Sequence, residues 1–192
     1  MNTLAHFALA YPDPHLMLGQ FLGDFTKGPV EDLPFSHVIK QGIRAHRAVD
    51  ARSEQHVFTS TAKARVQREH RRYVGIVLDV YTDYLLTVLW DDLMVDPRRQ
   101  VIQEVHTLLE QPDIPLPRPA ERVASALVTY NILEAYGDPD ELPEIMDRIG
   151  SRLRRPVALS EVFREIQPHE SELLDLFPEY FRDMQRIARQ TT

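Results

Sequence analysis

The spacing of apolar residues along the 192-residue chain constrains its fold more than any other feature. Apolar residues recur three and four positions apart in many stretches, and no stretch keeps the two-residue alternation of a half-buried strand. The chain holds only seven glycines, and its 14 prolines separate the periodic stretches from one another. We therefore expect an all-α protein built as a helical bundle.

Capping residues and prolines set the expected helix boundaries. Ser36 is placed to cap a third helix that runs to about residue 53. A very apolar helix over about 72–93 is expected at the centre of the bundle, and Asp96-Pro97 predicts the start of the next helix. The proline-rich segment 111–120 is the only credible linker. Because that segment is short, we assign residues 1–192 to a single domain.

Composition excludes several classes of protein. The net charge of −7 argues against a surface built for nucleic acid. No apolar run approaches the length of a membrane helix, and the first residues lack the charged head and apolar body of a signal peptide, so we expect a cytoplasmic protein. The absence of cysteine excludes disulfides, thiolate zinc sites and cysteine nucleophiles. Any metal must therefore be bound by histidines and carboxylates.

One segment departs from the acidic average. Residues 40–72 contain nine basic and three acidic residues, a local charge of +6, so the remainder carries −13. A fourth helix is expected over about 56–69, with Arg65, Arg68 and Arg72 on one face if it continues that far. The pattern is consistent either with a local anionic partner or with a solvated helix face.

Polar residues occupy several positions that helical periodicity assigns to the interior. They are His6, Asp24, His46, Asp50, Asp79 and Asp83. An unpaired buried carboxylate is costly, and joint coordination of a metal would give all six a partner. Residues four apart lie one turn from each other and can converge on one point. The nitrogen and oxygen donors suit manganese, iron or zinc, and magnesium if carboxylates dominate.

Each of these residues also has a purely structural interpretation. A single histidine such as His6 on an apolar face is more often hydrogen-bonded in the core than bound to a metal, and Arg47 is a possible ion-pair partner of Asp50. The remaining histidines, His56 among them, lie in polar or loop contexts and are expected at the surface. The sequence lacks the Glu-x-x-His, phosphate-loop, dinucleotide-binding and Gly-x-Ser-x-Gly motifs.

Four short motifs carry the candidate residues, at residues 1–6, 22–25, 42–50 and 78–83. In order and spacing they resemble the acyl carrier protein phosphodiesterase family over about the first ninety residues, whereas the C-terminal half resembles it only loosely. Two positions differ from the family pattern. The family usually has Asp-His where this chain has Asp83-Tyr84, and a second arginine where this chain has Ala48.

The resemblance implies an all-helical fold distantly related to HD-type phosphohydrolases. It also implies hydrolysis of the phosphodiester that joins phosphopantetheine to a serine of acyl carrier protein, with a divalent metal. Manganese is expected, with magnesium, iron and zinc as alternatives. The candidate metal ligands are His6, Asp24, His46, Asp50, Asp79 and Asp83.

The same resemblance suggests further roles. The candidate catalytic residues are Asp24, His46, Arg47 and Asp79. The candidates for binding substrate or phosphate are Asn2, Arg47, whose guanidinium could grip phosphate oxygens, and Tyr84, as a hydrogen-bond donor in place of the family histidine.

The basic segment then has a possible partner. Acyl carrier proteins are strongly acidic, and electrostatic docking would make activity sensitive to salt. The candidate docking residues are Arg44, Arg65, Arg68, Arg71 and Arg72. Two other functions stay open. One is a metal-dependent phosphohydrolase of a nucleotide or another small phosphoester, and the other is a non-catalytic helical protein that binds an acidic partner through its arginines.

Overall fold

The computed structural model describes residues 3–192, which form helices and connecting turns without a strand. In chain order the α-helices are α1 (Thr3–Ala10), α2 (Pro14–Leu22), α3 (His37–Gln55), α4 (Val57–Ala64), α5 (Val74–Val88), α6 (Trp90–Leu93), α7 (Arg98–Glu110), α8 (Arg118–Thr129), α9 (Ile132–Ala135), α10 (Leu142–Gly150), α11 (Leu159–Ile166) and α12 (Glu170–Thr191). Short 3-10 turns occur at Gly23–Phe25, Val30–Asp32, Arg71–Tyr73 and Gln167–His169. The all-α prediction is confirmed.

Helix α5 occupies the centre of the bundle, as its apolar sequence predicts. It packs against α1, α4, α10, α11 and α12. Buried residues from helices along the described chain, from Leu4 to Ala188, form one hydrophobic cluster, and Ile114 and Leu116 of the proline-rich segment pack against it. In the part of the chain that the structure describes, no helix is both long and apolar enough to span a membrane.

Helices α2 and α3 approach each other closely because glycines face each other at their contact. A Cβ atom on Gly19 would lie 2.3 Å from the carbonyl oxygen of Ile39, and one on Gly42 would lie 2.5 Å from that of Leu16. Only residues without a Cβ permit this backbone approach. The close contact places the end of α2 beside the middle of α3, where two of the sequence motifs meet.

Several boundaries follow the predicted signals, and two do not. Ser36 caps α3, with its hydroxyl accepting the N–H of Ile39 at 3.4 Å. Helix α7 begins at Arg98, directly after the predicted Asp96-Pro97 signal. The helix expected over about 72–93, however, is interrupted at Leu89, between α5 and α6. Helix α4 ends at Ala64, so the expected continuous helix over about 56–69 is wrong.

A long-range contact explains the early end of α4. The carboxylate of Glu165, on α11, accepts the backbone N–H of Gln67 at 2.7 Å and contacts His70 Nδ1 at 2.5 Å. These contacts hold the segment after α4 in a turn. As a result Arg65 and Arg72 lie on separate elements and not on one helix face.

Candidate metal centre and active-site cavity

Two helices bring three of the predicted ligands together. His6 is on α1, and His46 and Asp50 are one turn apart on α3. Each of the three offers one ligand atom, and these atoms lie within 4.8 Å of one another. We call this group the His–Asp cluster. Asp50 bridges the two rings, with Oδ1 3.1 Å from His6 Nε2 and Oδ2 3.1 Å from His46 Nε2.

Neighbouring side chains fix both imidazole rings. The rings of His6 and His46 stack with their centroids 4.1 Å apart. His6 Nδ1 lies 2.8 Å from the side-chain oxygen of buried Gln20. On the opposite side Gly23 leaves room for the His46 ring, because a Cβ at that position would lie 2.2 Å from His46 Cγ. A side chain at position 23, directly before Asp24, would therefore clash with the ring of His46.

The charges in the cluster depend strongly on one another. Burial lowers the pKa of His6 despite the nearby carboxylate. Burial acts in the same direction on His46, but its hydrogen bonds to Asp24 and Asp50 outweigh burial and raise the pKa of His46 to about 9. Burial acts to raise the pKa of Asp50, but the hydrogen bonds from both histidines outweigh burial and hold that pKa below the ordinary range. The cluster thus pairs an ionised carboxylate with one protonated ring.

The donors fit a divalent cation. When His6 donates its Nδ1 hydrogen to Gln20, the Nε2 lone pair of the neutral ring faces the Asp50 carboxylate, and a shared cation would stabilise that arrangement. Two imidazole nitrogens with one carboxylate form a donor set suited to manganese, iron or zinc. The proton on His46 is the charge that a metal would replace.

Two more predicted residues lie beside the cluster. Asp24 is in the 3-10 turn Gly23–Phe25, with a largely exposed carboxylate whose Oδ1 is 3.4 Å from His46 Nε2. Surrounding protein atoms act to raise the pKa of Asp24, and the hydrogen bond from His46 reverses that effect and lowers it. Asp79, on α5, lines the same cavity, where desolvation and the charges of Asp50 and Asp24 raise its pKa. Asp24 and Asp79 are both exposed, so the expectation that they face the interior is wrong.

Asp83, in contrast, forms hydrogen bonds with the backbone of α1. It is fully buried, and its two carboxylate oxygens accept the backbone N–H groups of Leu4 and Ala5 at 3.0 and 2.9 Å. Burial raises the pKa of Asp83 to about 7, although these hydrogen bonds act in the opposite direction. Asp83 therefore caps the helix that carries His6, and among the described residues it is not part of the His–Asp cluster.

A cavity of about 420 Å³ opens beside the cluster and has charges of both signs on its walls. The acidic residues that line it are Asp24, Asp50, Glu54 and Asp79, and the basic ones are Lys63, Arg71 and Arg72. Ser53 and Tyr180 complete part of the wall, with their hydroxyl oxygens 2.6 Å apart. Such a cavity can hold an anionic group between carboxylates and cations.

The residues predicted to bind substrate have diverse surroundings. Arg47 donates to the backbone carbonyls of Gly28 at 2.7 Å and Thr26 at 3.1 Å, and so braces the loop after Asp24. Tyr84 stacks on Tyr81 with ring centroids 5.5 Å apart and is not among the described residues that line the cavity. Asn2 lies outside the described residues.

The candidate docking arginines fall into two groups. Arg44 pairs with Glu31 at 2.6 Å, and Arg65 forms a two-pronged pair with Glu172 at 2.6 and 2.9 Å. Arg71 and Arg72 line the cavity, and Arg68 is exposed on the turn between α4 and α5. Arg44 and Arg65 are thus neutralised locally, while Arg71 and Arg72 face the candidate site.

Several residues of the site were not predicted from the sequence. Gln20 carries a detectable signal, since it is an amide within an apolar helix. Lys63, Ser53 and Tyr180 carry none, because they come from three different helices. His56 was expected at the surface, which is wrong, because it is buried and its Nδ1 accepts the N–H of Phe58 at 3.1 Å.

Comparisons with known proteins cover almost the whole chain. The family model described as acyl carrier protein phosphodiesterase matches residues 1–184. Relatives of that name include proteins of Photorhabdus laumondii subsp. laumondii, 29% identical over 191 residues, and of Yersinia enterocolitica, 29% identical over 190. The protein of Shigella boydii serotype 18 is 30% identical over 193 residues. Each alignment covers 98% of this chain, and 95%, 98% and 97% of the respective relatives.

No solved structure matches the chain significantly. The expected relation to HD-type phosphohydrolases therefore stays a prediction from the sequence motifs.

Proposed function

The chain belongs to the acyl carrier protein phosphodiesterase family, and we propose that it uses a divalent metal to hydrolyse the phosphodiester of holo acyl carrier protein, releasing phosphopantetheine. The observation that carries the metal-dependent part is the convergence of His6, His46 and Asp50 beside a cavity that is also lined by basic residues. The names of the similar proteins support the substrate. Manganese is the metal that we propose first.

His6, His46 and Asp50 would hold the ion. A bound divalent metal lowers the pKa of a water molecule and neutralises charge on phosphate oxygens. Gln20 keeps the ring of His6 oriented, and the Gly23 backbone leaves space for the ring of His46. Asp24 and Asp79 line the same cavity as Asp50 and supply two further carboxylates.

The two further carboxylates suit opposite proton transfers. Asp24 has a lowered pKa, so it is ionised and can accept a proton from the attacking water. In this proposal Asp79, whose pKa is raised, donates a proton to the serine oxygen that leaves. In this scheme water adds to phosphorus, the bond from phosphorus to the serine oxygen breaks, and serine regains its hydroxyl. Arg47 acts indirectly, since it holds the loop that follows Asp24.

The basic residues of the cavity balance the charge of the substrate. Lys63, Arg71 and Arg72 line the same cavity as the carboxylates, and none has an ion-pair partner among the described residues. Cations placed in this way attract a phosphodiester and stabilise charge that builds on its oxygens during hydrolysis.

The direct test is incubation of the purified protein with holo acyl carrier protein and manganese. Mass spectrometry should detect loss of the phosphopantetheine mass from the carrier protein. Asp50→Ala should abolish that loss. Asp113→Ala is the matched control, because Asp113 contacts a histidine, His15, at 2.7 Å on a surface away from the cavity.

Two results would redirect the proposal. Turnover of a small phosphodiester with the prosthetic group retained would favour a phosphohydrolase of small phosphoesters. Absence of bound metal, with no effect of Asp24→Ala or Asp79→Ala on any phosphoesterase activity, would favour a non-catalytic protein that binds an acidic partner.

A further inference from the structure

A second groove adjoins the active-site cavity, and Arg72 lines both. The groove has a volume of about 420 Å³ and lies between the start of α5 and the connection from α10 to α11. Its lining residues are Arg72, Tyr73, Ile76, Leu153, Arg154 and Arg155. The two arginines of the connection lie far in sequence from the basic segment 40–72.

The charge around this groove is uncompensated. Arg154 and Arg155 are exposed, and neither has an ion-pair partner among residues 3–192. Arg72 lies 4.5 Å from the centre of the Tyr73 ring, a cation–π contact that leaves its charge available to a ligand. Arg44 and Arg65, in contrast, are each paired with a glutamate. Electrostatic attraction should therefore be stronger at the groove than at those two arginines.

The groove also offers apolar contact. Tyr73, Ile76 and Leu153 are partly exposed, and the first two pack against the hydrophobic core. An apolar surface flanked by three arginines is complementary to an amphipathic segment with apolar residues on one side and carboxylates around them. The groove thus indicates an acidic protein segment as its ligand.

The chemistry of the substrate restricts where a carrier protein can dock. A phosphodiester formed on serine is separated from the protein backbone only by that short side chain. When the phosphodiester enters the cavity, the carrier surface around the serine must therefore contact the cavity rim. The groove is part of that rim, since Arg72 belongs to both surfaces.

We propose that this groove docks acyl carrier protein through an acidic, amphipathic segment next to the modified serine. This inference rests on the proposed function, and it replaces Arg44 and Arg65 by Arg154 and Arg155 as docking residues. Docking at this groove places the phosphodiester beside the carboxylates of the cavity. The hydrolysis itself depends on residues of the cavity and the His–Asp cluster, not on Arg154 and Arg155.

The test is the double charge reversal Arg154→Glu with Arg155→Glu. We expect the KM for holo acyl carrier protein to rise about tenfold or more, because attraction becomes repulsion at the docking surface. We expect kcat, and turnover of the small diester bis(p-nitrophenyl) phosphate, to change less than about twofold, because neither arginine lines the cavity. The milder change to two alanines should give an intermediate KM.

The matched control reverses Arg118 and Arg122, two exposed arginines of α8 that line neither the groove nor the cavity. It changes net charge equally and should leave KM within about twofold of the original protein. An equal KM increase in both double variants would overturn the docking site, as would no increase in either. Circular dichroism during heating verifies that all variants are folded.

Equilibrium binding separates this inference from the proposed function. Fluorescence anisotropy of labelled holo acyl carrier protein measures docking without turnover, and the Arg154/Arg155 reversal should weaken the Kd about tenfold. Specific binding without release of phosphopantetheine would contradict the proposed function and leave the docking surface intact. Release of phosphopantetheine with unchanged Kd and KM in the variant would contradict only the docking surface. Absence of both binding and release would overturn both.

Discussion

Two buried regions in the described part of the chain place histidine beside aspartate, and of these two only the His–Asp cluster brings several donor atoms to one point. In the His–Asp cluster, nitrogens of His6 and His46 converge on Asp50 at the edge of a cavity. The second region, which we call the α3–α12 junction, consists of His56 and Asp183 and adjoins Tyr180 of the cavity wall. There the two histidine nitrogens have separate tasks. His56 Nδ1 caps α4, and Nε2 is 3.7 Å from Asp183 Oδ2.

The contrast shows that burial of a histidine does not identify a binding site. His6 and His56 are both buried, but the ring of His56 packs edge-on against Tyr180, with centroids 5.1 Å apart, and connects α4 to α12. What distinguishes the cluster is convergence of several donor atoms on one accessible point. The junction instead gives each polar atom a separate partner, which stabilises helix packing.

The largest difference between the two regions is expected when the aspartate of each is replaced by alanine. Asp50→Ala should lower kcat/KM by about 10³-fold, equivalent to about 4 kcal/mol of transition-state stabilisation. The reason is that both histidines lose the carboxylate between them. Asp183→Ala is the matched control and should change kcat/KM less than about threefold. Similar losses in both variants, measured by release of phosphopantetheine, would contradict the distinction.

The two aspartates of α5 test the same distinction between a structural and a functional role. Asp83→Ala should lower the free energy of unfolding by about 3 kcal/mol, because it leaves two backbone N–H groups of α1 buried without an acceptor. Asp79→Ala should change stability by less than about 1 kcal/mol and mainly reduce activity. Urea denaturation measures both. A stability loss confined to Asp79→Ala would reverse the assigned roles.

Steric support of the cluster can be tested at a glycine. Gly23→Ala forces the His46 ring to move, so kcat/KM should fall about 30-fold, since small displacements of catalytic groups are costly. Gly75→Ala is the control, because that glycine lines the cavity but an added Cβ there has no atom within 4 Å. Activity equal in the two variants would show that Gly23 does not position His46.

The protonation of His46 predicts a smaller effect, a gradual change of metal affinity with pH. The pKa of His46 is raised to about 9, so in the metal-free protein the ring keeps a proton at neutral pH. A metal ion bound through this ring, as proposed, would have to displace that proton. Metal affinity should therefore increase with pH, by up to about tenfold between pH 7 and 8. Calorimetry in two buffers of different ionisation enthalpy should show proton release on binding. Changing His56 to Asn should preserve this dependence, and an affinity independent of pH would contradict the proposed ligand.

The smallest effects are expected at arginines whose charges are already paired. Arg65→Ala removes an exposed pair with Glu172 and should change the KM for acyl carrier protein less than about twofold. For the original protein, a rise in salt from low to high concentration should increase KM, because the unpaired arginines attract an acidic substrate. Enzyme kinetics at several salt concentrations test both statements. A rate independent of salt would exclude electrostatic docking.

Part of the candidate site could be predicted from the sequence. Polar residues at helix positions expected to face inward identified His6, His46 and Asp50, because helical periodicity reports which residues face inward. The same signal selected Asp83, since a carboxylate that caps a distant helix and one that binds a metal both interrupt an apolar row. The motif glycines Gly23 and Gly42 had no explanation until their neighbours His46 and Leu16 were known.

Other features depended on contacts between distant parts of the chain. Glu165 ends α4 through contacts with Gln67 and His70, about a hundred residues earlier. Arg154 joins Arg72 only because the α10–α11 connection lies against the start of α5. No local pattern reports such contacts.

The sequence by itself determined the helical class of the fold and the central place of α5, because both follow from local periodicity and composition. The same periodicity correctly directed His6, His46 and Asp83 into the interior, but Asp24 and Asp79, which were also expected there, are exposed.

Only the tertiary structure decided which of these polar residues meet. That outcome depends partly on how closely two helices approach each other, as the contact at Gly19 and Gly42 shows. It also depends on which side chains already have hydrogen-bond partners, as Asp83 shows. Both conditions arise from long-range packing.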